Sequence, residues 1–185
     1  MDMKRQKNSP DFELLSSAAN FLKGDFPTSK PAWKNSPFEW ILNLPSASKG
    51  KLGQRLVFQW SALKGLPVDK SPDSEADMLI NGHRVEVKFS TLWEAGFYKF
   101  QQIRDQNYEF GVFLGISPFD AHCWVISKAI LQEFVIGHMG QHTGSAGTET
   151  AWLSVNPKNP PPWLESTGGT LEQAFDVLKN LSAKC

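Results

Sequence analysis

The chain has 185 residues, enough for one domain with a proper core and too few for two ordinary ones. With 41% apolar and 21% charged residues it is not a disordered polymer, and a formal net charge of zero removes any global electrostatic argument for a polyanionic partner. Cys123 and Cys185 are the only cysteines and cannot build a disulfide framework, no apolar stretch follows the N-terminal Met-Asp-Met-Lys-Arg, and eighteen apolar residues nowhere run together; a cytoplasmic protein with no membrane segment is expected.

Charge is distributed unevenly all the same. Residues 1–60 hold nine Lys/Arg against five Asp/Glu, and residues 61–185 hold ten against fourteen. This is either fluctuation on a solvated surface or a division between phosphate contacts early in the chain and metal ligands later.

In chain order, Leu52, Leu56, Trp60 and Leu63 have helical spacing over Lys51 to Lys64, and Gly65 and Pro67 stop the helix. Residues Ala76 to Ile80 and His83 to Phe89 flank Asn81-Gly82, a strong signal for a two-residue type I′ hairpin. Phe97, Phe100 and Ile103 form an apolar stripe that predicts a second helix ending near Asn107. Tyr108 to Ile116 and His122 to Ile126 read as strands, and Lys128 to Phe134 as a short helix. Gly137 to Thr150 and the proline-rich residues 156–162 read as loop, before a last helix from Thr170 to Leu181 capped by Thr170. The fold class is α/β with a mixed sheet and a loop-rich C-terminal part, in one domain.

The hairpin carries the chemistry. Counting out from the turn, Met78 faces Val85, Asp77 faces Glu86 and Glu75 faces Lys88. Two carboxylates about 5 Å apart on one face repel and cost stability, unless a divalent cation lies between them. Lys88 shares their face by strand alternation, while Ala76, Met78, Val85 and Val87 take the other. Two carboxylates and an ammonium group are the parts for metal-assisted hydrolysis of a phosphodiester. The same residues also read as a solvated hairpin face on which Glu86 pairs with Arg84 or Lys88.

With Asp77 followed nine residues later by Glu86-Val87-Lys88, with Ser71-Pro72-Asp73 upstream, and with a helix beginning Gly50-Lys51-Leu52-Gly53-Gln54-Arg55 before them, the chain resembles the PD-(D/E)xK nucleases, the restriction-endonuclease-like superfamily. The resemblance spans about residues 48–130 and includes the run from Phe97 to Pro118. It implies a restriction-endonuclease-like core in which helices flank a D…ExK hairpin. It also implies an enzyme, resembling type II restriction endonucleases, that cuts double-stranded DNA with Mg²⁺ and no nucleotide cofactor. Asp77, Glu86 and the Val87 carbonyl would hold the metal, and Lys88 would serve the attacking water. A repair or nicking endonuclease and a catalytically silent DNA-binding module are the alternatives. Asp73 lies off the hairpin pairing, which makes Asp77 the better ligand. Where relatives carry a Glu on the first helix this chain offers Gln54, Val57 or Gln59, which puts a second metal in doubt.

Candidate DNA contacts are Lys49, Lys51 and Arg55 at the entrance to the first helix, Gln101, and His142 in the Gly-rich loop. His138 and His142 stand four apart, but three glycines in that window and the lack of a third ligand argue against zinc. Specific cutting of both strands by a chain with one such motif predicts a homodimer.

Overall fold

The computed structural model describes residue 17, residues 30–140 and residues 150–181. The chain divides into two units, Met1–Lys34 and Asn35–Cys185. In the first, Pro31–Trp33 forms a 3₁₀ turn started by its proline; every other element described below belongs to the second.

The second unit is a mixed α/β fold. Helix α1, Ser46–Leu63, is followed by strands β1 (Val68–Lys70), β2 (Met78–Ile80), β3 (His83–Thr91), β4 (Tyr98–Ile103), β5 (Phe110–Ile116) and β6 (Ala121–Ser127). Helix α2 (Lys128–Phe134), strand β7 (Ala151–Val155), a 3₁₀ segment (Pro162–Thr167), strand β8 (Gly168–Thr170) and helix α3 (Leu171–Asn180) complete it. A six-stranded sheet runs in the order β1-β2-β3-β5-β6-β8, antiparallel throughout except for the β3/β5 pair, and β4 and β7 make a separate two-stranded ribbon.

The Asn81-Gly82 turn forms as expected. Both residues take positive φ, 52° and 78°, as a type I′ turn requires, and the ladder runs Ile80 to His83, Leu79 to Arg84 and Met78 to Val85. The Asn81 amide is buried and donates to the Leu178 carbonyl at 2.9 Å, which ties the turn to α3. That helix opens with a capping box between Thr170 and Gln173.

Three expectations need correction. The segment from Phe97 to Asn107 is not a helix: Tyr98–Ile103 is β4, paired with β7. A bulge between Phe100 and Ile103 inserts an extra residue, so strand alternation (Tyr98, Phe100) is followed by a gap of three that imitates a helical stripe. The link between parallel strands β3 and β5 is therefore a strand of a second sheet.

Helix α1 begins five residues before the expected start, and its buried face is Gly53, Val57 and Ser61. The expected face is displaced outward, to the point that Leu63 is 88% exposed. Small residues let the helix lie close on β3: a Cβ added to Gly53 would stand 2.3 Å from the Phe89 Cβ. The third correction concerns pairing beyond Met78. The ladder stops there, so neither Asp77 with Glu86 nor Glu75 with Lys88 is a pair of the hairpin ladder; Asp77 bonds instead to Val85 and Val87, and the partner of Lys88 across the sheet is Phe113 of β5.

A core of buried aromatic and aliphatic side chains lies between the ribbon and the six-stranded sheet. Tyr98, Phe100 and Leu153 of the ribbon pack with Phe113, Trp124 and Ile126 of the sheet and with Leu131 of α2. Phe100 meets Phe113 edge-on, with ring centres 5.2 Å apart. On the helix side lie Val57 and Cys123, both buried, and burial pushes the Cys123 thiol up to about 12, so that it packs as a small apolar group.

Candidate active site

Strand β2 has three residues and β3 has nine, so β3 runs on from Glu86 to Thr91 with no strand of the described residues beside it on the β2 side. An unpaired edge leaves backbone groups to be satisfied by side chains or ligands. The Asp77 backbone N–H makes the last hairpin bond, 2.9 Å to the Val85 carbonyl. Its side chain then turns along the open edge, where Oδ2 accepts the Val87 N–H at 2.7 Å. Successive residues of a strand bond to alternate edges, and the Arg84 carbonyl bonds toward the β5 side, to the N–H of Glu109. Val85 and Val87 therefore face the open edge, and so does the Val87 carbonyl.

Asp77 is held from the other side by α1: Gln54 Nε2 donates to Oδ1 at 2.6 Å. The contact of Gly53 with Phe89 brings the neighbouring Gln54 this close. Of Gln54, Val57 and Gln59, it is Gln54 whose side chain reaches Asp77, and as an amide it supplies a hydrogen bond and no charge. Burial is the main cause that pushes the Asp77 carboxyl up to about 6; the Glu86 charge adds to it, and the Val87 N–H and Lys88 oppose it.

Glu86 and Lys88 project together from β3, with Lys88 Nζ 2.7 Å from Glu86 Oε1 and both side chains only about one-seventh exposed, at 14% and 15%. The open edge forms the floor of a cleft of about 620 Å³. One wall is the N-terminal part of α1, with Lys49, Gly50, Lys51 and Gln54; the other is Trp93 with Lys99, Gln101 and Gln102 of β4. A smaller hollow of about 260 Å³ on the far side of Gln54 is lined by Arg55, Phe58, Gln59, Lys70, Asp77 and Met78.

The structure brings Glu86, Val87, Lys88, Lys49, Lys51 and Gln101 into one cleft; Asp77 lines the adjoining smaller hollow and is joined to the cleft through its bond to the Val87 N–H. Arg55 lines the smaller hollow instead, and His142 lies outside the described residues. Lys49 and Lys51 sit within the first turns of α1, and Lys49 also donates to the Leu42 carbonyl at 3.1 Å. Asp73 takes a structural part: it pairs with Arg84, which holds its carboxyl below the usual range, and accepts the Glu75 N–H. Lys99, Gln102 and Trp93 are cleft residues that the sequence reading did not single out. The alternation of Tyr98 with Phe100, and of Ala151, Leu153 and Val155, is the strand signal that leads to them.

Among the described residues no group of three or more His, Cys, Asp or Glu side chains is placed to hold a metal. A cation here would rest on two carboxylates, the Val87 carbonyl and water. That oxygen-only, water-rich donor set fits Mg²⁺, which keeps several of its waters. No helix among the described residues is long and apolar enough to cross a membrane.

No known protein family matches the chain, and no curated protein matches it. Among solved structures, one that is similar is a bacterial homing endonuclease, at 14% identity over 73% of this chain and 94% of that one, with a TM-score of 0.47.

Proposed function

We propose that the protein is a Mg²⁺-dependent endodeoxyribonuclease of the restriction type, cytoplasmic and acting on double-stranded DNA as a homodimer. The observation that carries this reading is the convergence at the open edge of β3: the Asp77 carboxylate on the Val87 N–H, with Glu86 and Lys88 beside it in one cleft. A structural hairpin gains nothing from placing a carboxyl whose ionisation is suppressed next to a second carboxylate.

In this reading Asp77, Glu86 and the Val87 carbonyl hold the metal. When bound, Mg²⁺ polarises the phosphoryl oxygen and lowers the pKa of a water. The protein supplies the rest. Gln54 fixes the orientation of Asp77, and Lys88, poised beside Glu86, stabilises negative charge on the attacked phosphate and orients the water. The first turns of α1 bring Lys49, Lys51 and the positive end of the helix dipole to the cleft wall, where a DNA backbone would lie. The test is supercoiled plasmid incubated with Mg²⁺ or with EDTA. Cleavage with the metal and none with the chelator is expected, and linear product appearing together with nicked circles is the mark of a dimer. A monomer in sedimentation that accumulates only nicked circles would turn the reading to a nicking or repair enzyme.

One observation favours a second reading, a catalytically silent DNA-binding module: both Asp77 oxygens already accept hydrogen bonds. Each carboxylate oxygen has a further lone pair, so these bonds leave room for a cation. Binding without cleavage at any divalent metal would select the silent module.

A further inference from the structure

The β4–β7 ribbon has one face in the aromatic core and one toward solvent. Between the pairs Phe100–Leu153 and Ile103–Ala151, two residues of β4, Gln101 and Gln102, oppose a single residue of β7, Trp152. The inserted residue turns both glutamines outward, and both are exposed and line the cleft that contains Glu86 and Lys88. The bulge also has a cost. Gln102 has φ 56°, and the other non-glycine residues with positive φ among the described residues, Asn35 and Asn81, are asparagines, the type that accepts this conformation most easily. Glycine or asparagine at 102 would hold the same backbone with less strain, so an unstrained bulge does not explain the glutamine. Beside it, the Lys99 ammonium lies 3.9 Å from the centre of a Trp152 ring and 5.2 Å from that of Trp93. It makes none of the ion pairs found among the described residues.

We infer that this ribbon is the base-reading element of the protein: Gln101 and Gln102 enter the major groove of duplex DNA and read adenine at adjacent base pairs, with Lys99 on the flanking backbone. The inference rests on the nuclease reading for its choice of DNA as ligand. The major groove admits a two-stranded ribbon, and a primary amide matches adenine, donating to N7 and accepting from N6. Bulges recur where a side chain must be re-aimed. Here the bulge places two such amides on the cleft wall that faces α1, so a strand whose phosphate reaches Glu86 and Lys88 would present its neighbouring bases to the ribbon.

The test is selection of bound duplexes from a randomised library, with Ca²⁺ replacing Mg²⁺, for the natural protein, Gln101→Glu and Gln102→Gly. The natural protein is expected to enrich adenine at one or two adjacent pairs. Gln101→Glu, which can only accept, should shift one of those positions toward cytosine by about 10-fold or more. Gln102→Gly relieves the strained φ, so it should fold at least as well as the natural protein while losing preference at one pair and keeping the remainder of the motif. Profiles unchanged in both variants, or no base preference in the natural protein, would overturn the inference. Plasmid cleavage run in parallel keeps the two failures apart. Cutting by a protein whose variants read the same bases removes only the ribbon's role, whereas no cutting and no binding removes the nuclease reading as well.

Discussion

The two halves of β3 share one strand geometry and differ in their neighbours. From His83 to Val85 the strand is paired with β2, with β5 joining on the other side at Val85, and its residues are fixed by the turn and by burial. From Glu86 to Thr91 β5 is the one paired strand among the described residues, and the open edge is where Asp77, Gln54 and the cleft are found. The paired half supplies stiffness. The unpaired half supplies free backbone groups and room for a ligand, and because it continues a rigid strand its side chains need little ordering when something binds. The site sits where a strand outruns its partner.

Removing the polar groups of the unpaired half should have the largest effect on cleavage. Glu86→Ala and Lys88→Ala should each lower cleavage on the order of 10²–10³-fold or more, leaving most DNA binding intact. Plasmid cleavage and a binding titration on the same samples check this. Near-normal cleavage by either variant would falsify the assigned site.

A second test acts on the helix that closes the cleft. A glycine-to-alanine change inside a helix ordinarily stabilises by about 1 kcal/mol. At Gly50 nothing lies within 4 Å of the added carbon, and Gly50→Ala should follow that rule. At Gly53 the carbon would meet Phe89 at 2.3 Å, so α1 must move off β3. Overpacking costs about 1–3 kcal/mol and outweighs the propensity gain, and Gly53→Ala should therefore destabilise. Opposite signs of the two changes in thermal melts are the expected result. Equal stabilisation would mean that α1 is not fixed to β3, and the Gln54–Asp77 bond would lose its support.

The pH dependence of stability tests whether Asp77 is as constrained as its position indicates. Its carboxyl titrates at about 6 in the folded chain and near 3.8 when unconstrained. The folded state thus holds the proton more tightly. The stability this gives is complete below about pH 4 and is lost as pH rises through 6. Two units correspond to about 3 kcal/mol, and for a half-buried group screening reduces this to about 1–2 kcal/mol. Without divalent metal, urea unfolding of the natural protein should show this decline between pH 4 and 7, and Asp77→Asn should flatten it. If the profile is the same in both, Asp77 is not the group responsible.

The paired half of β3 was legible from the sequence because its determinants are local. Asn81-Gly82 admits essentially one turn type, and the turn fixes the register to Met78 and Val85. Strand alternation from Val85 puts Glu86 and Lys88 on one face, whereas the place of Asp77, on the Val87 N–H and not across from Glu86, lies beyond the ladder and did not follow from the register. What was not legible depends on partners distant in sequence. The exposure of Gln102 requires a bulge defined against β7, fifty residues away, and without that partner Phe97, Phe100 and Ile103 imitate a helix. The buried face of α1 is set by Gly53 against Phe89, a contact in which the small residue is inside and larger ones such as Leu63 are outside, against the usual hydrophobic pattern. Strands β1 and β8 have three residues each, too short for periodicity to register.

The smallest expected effect concerns where DNA runs across the two sides of Gln54. Lys51 is exposed and lines the cleft, while Arg55, one turn further along α1, lines the smaller hollow with Asp77 and Lys70. Every phosphate neutralised by a cationic side chain adds about 0.9 to the slope of log affinity against log salt concentration. Lys51→Ala should therefore flatten that slope by about one unit and weaken binding equally for all sequences, and Lys49→Ala should do the same if its bond to the Leu42 carbonyl gives way to a phosphate. Arg55→Ala should change the slope by less than half a unit, because a backbone lying along the open edge of β3 passes on the other side of Gln54. Equal losses from Lys51 and Arg55 would mean that the duplex covers both hollows, so that the cleft alone does not set its path. An unchanged slope in all three variants would make this end of α1 a solvated face and leave the open edge without its phosphate contacts.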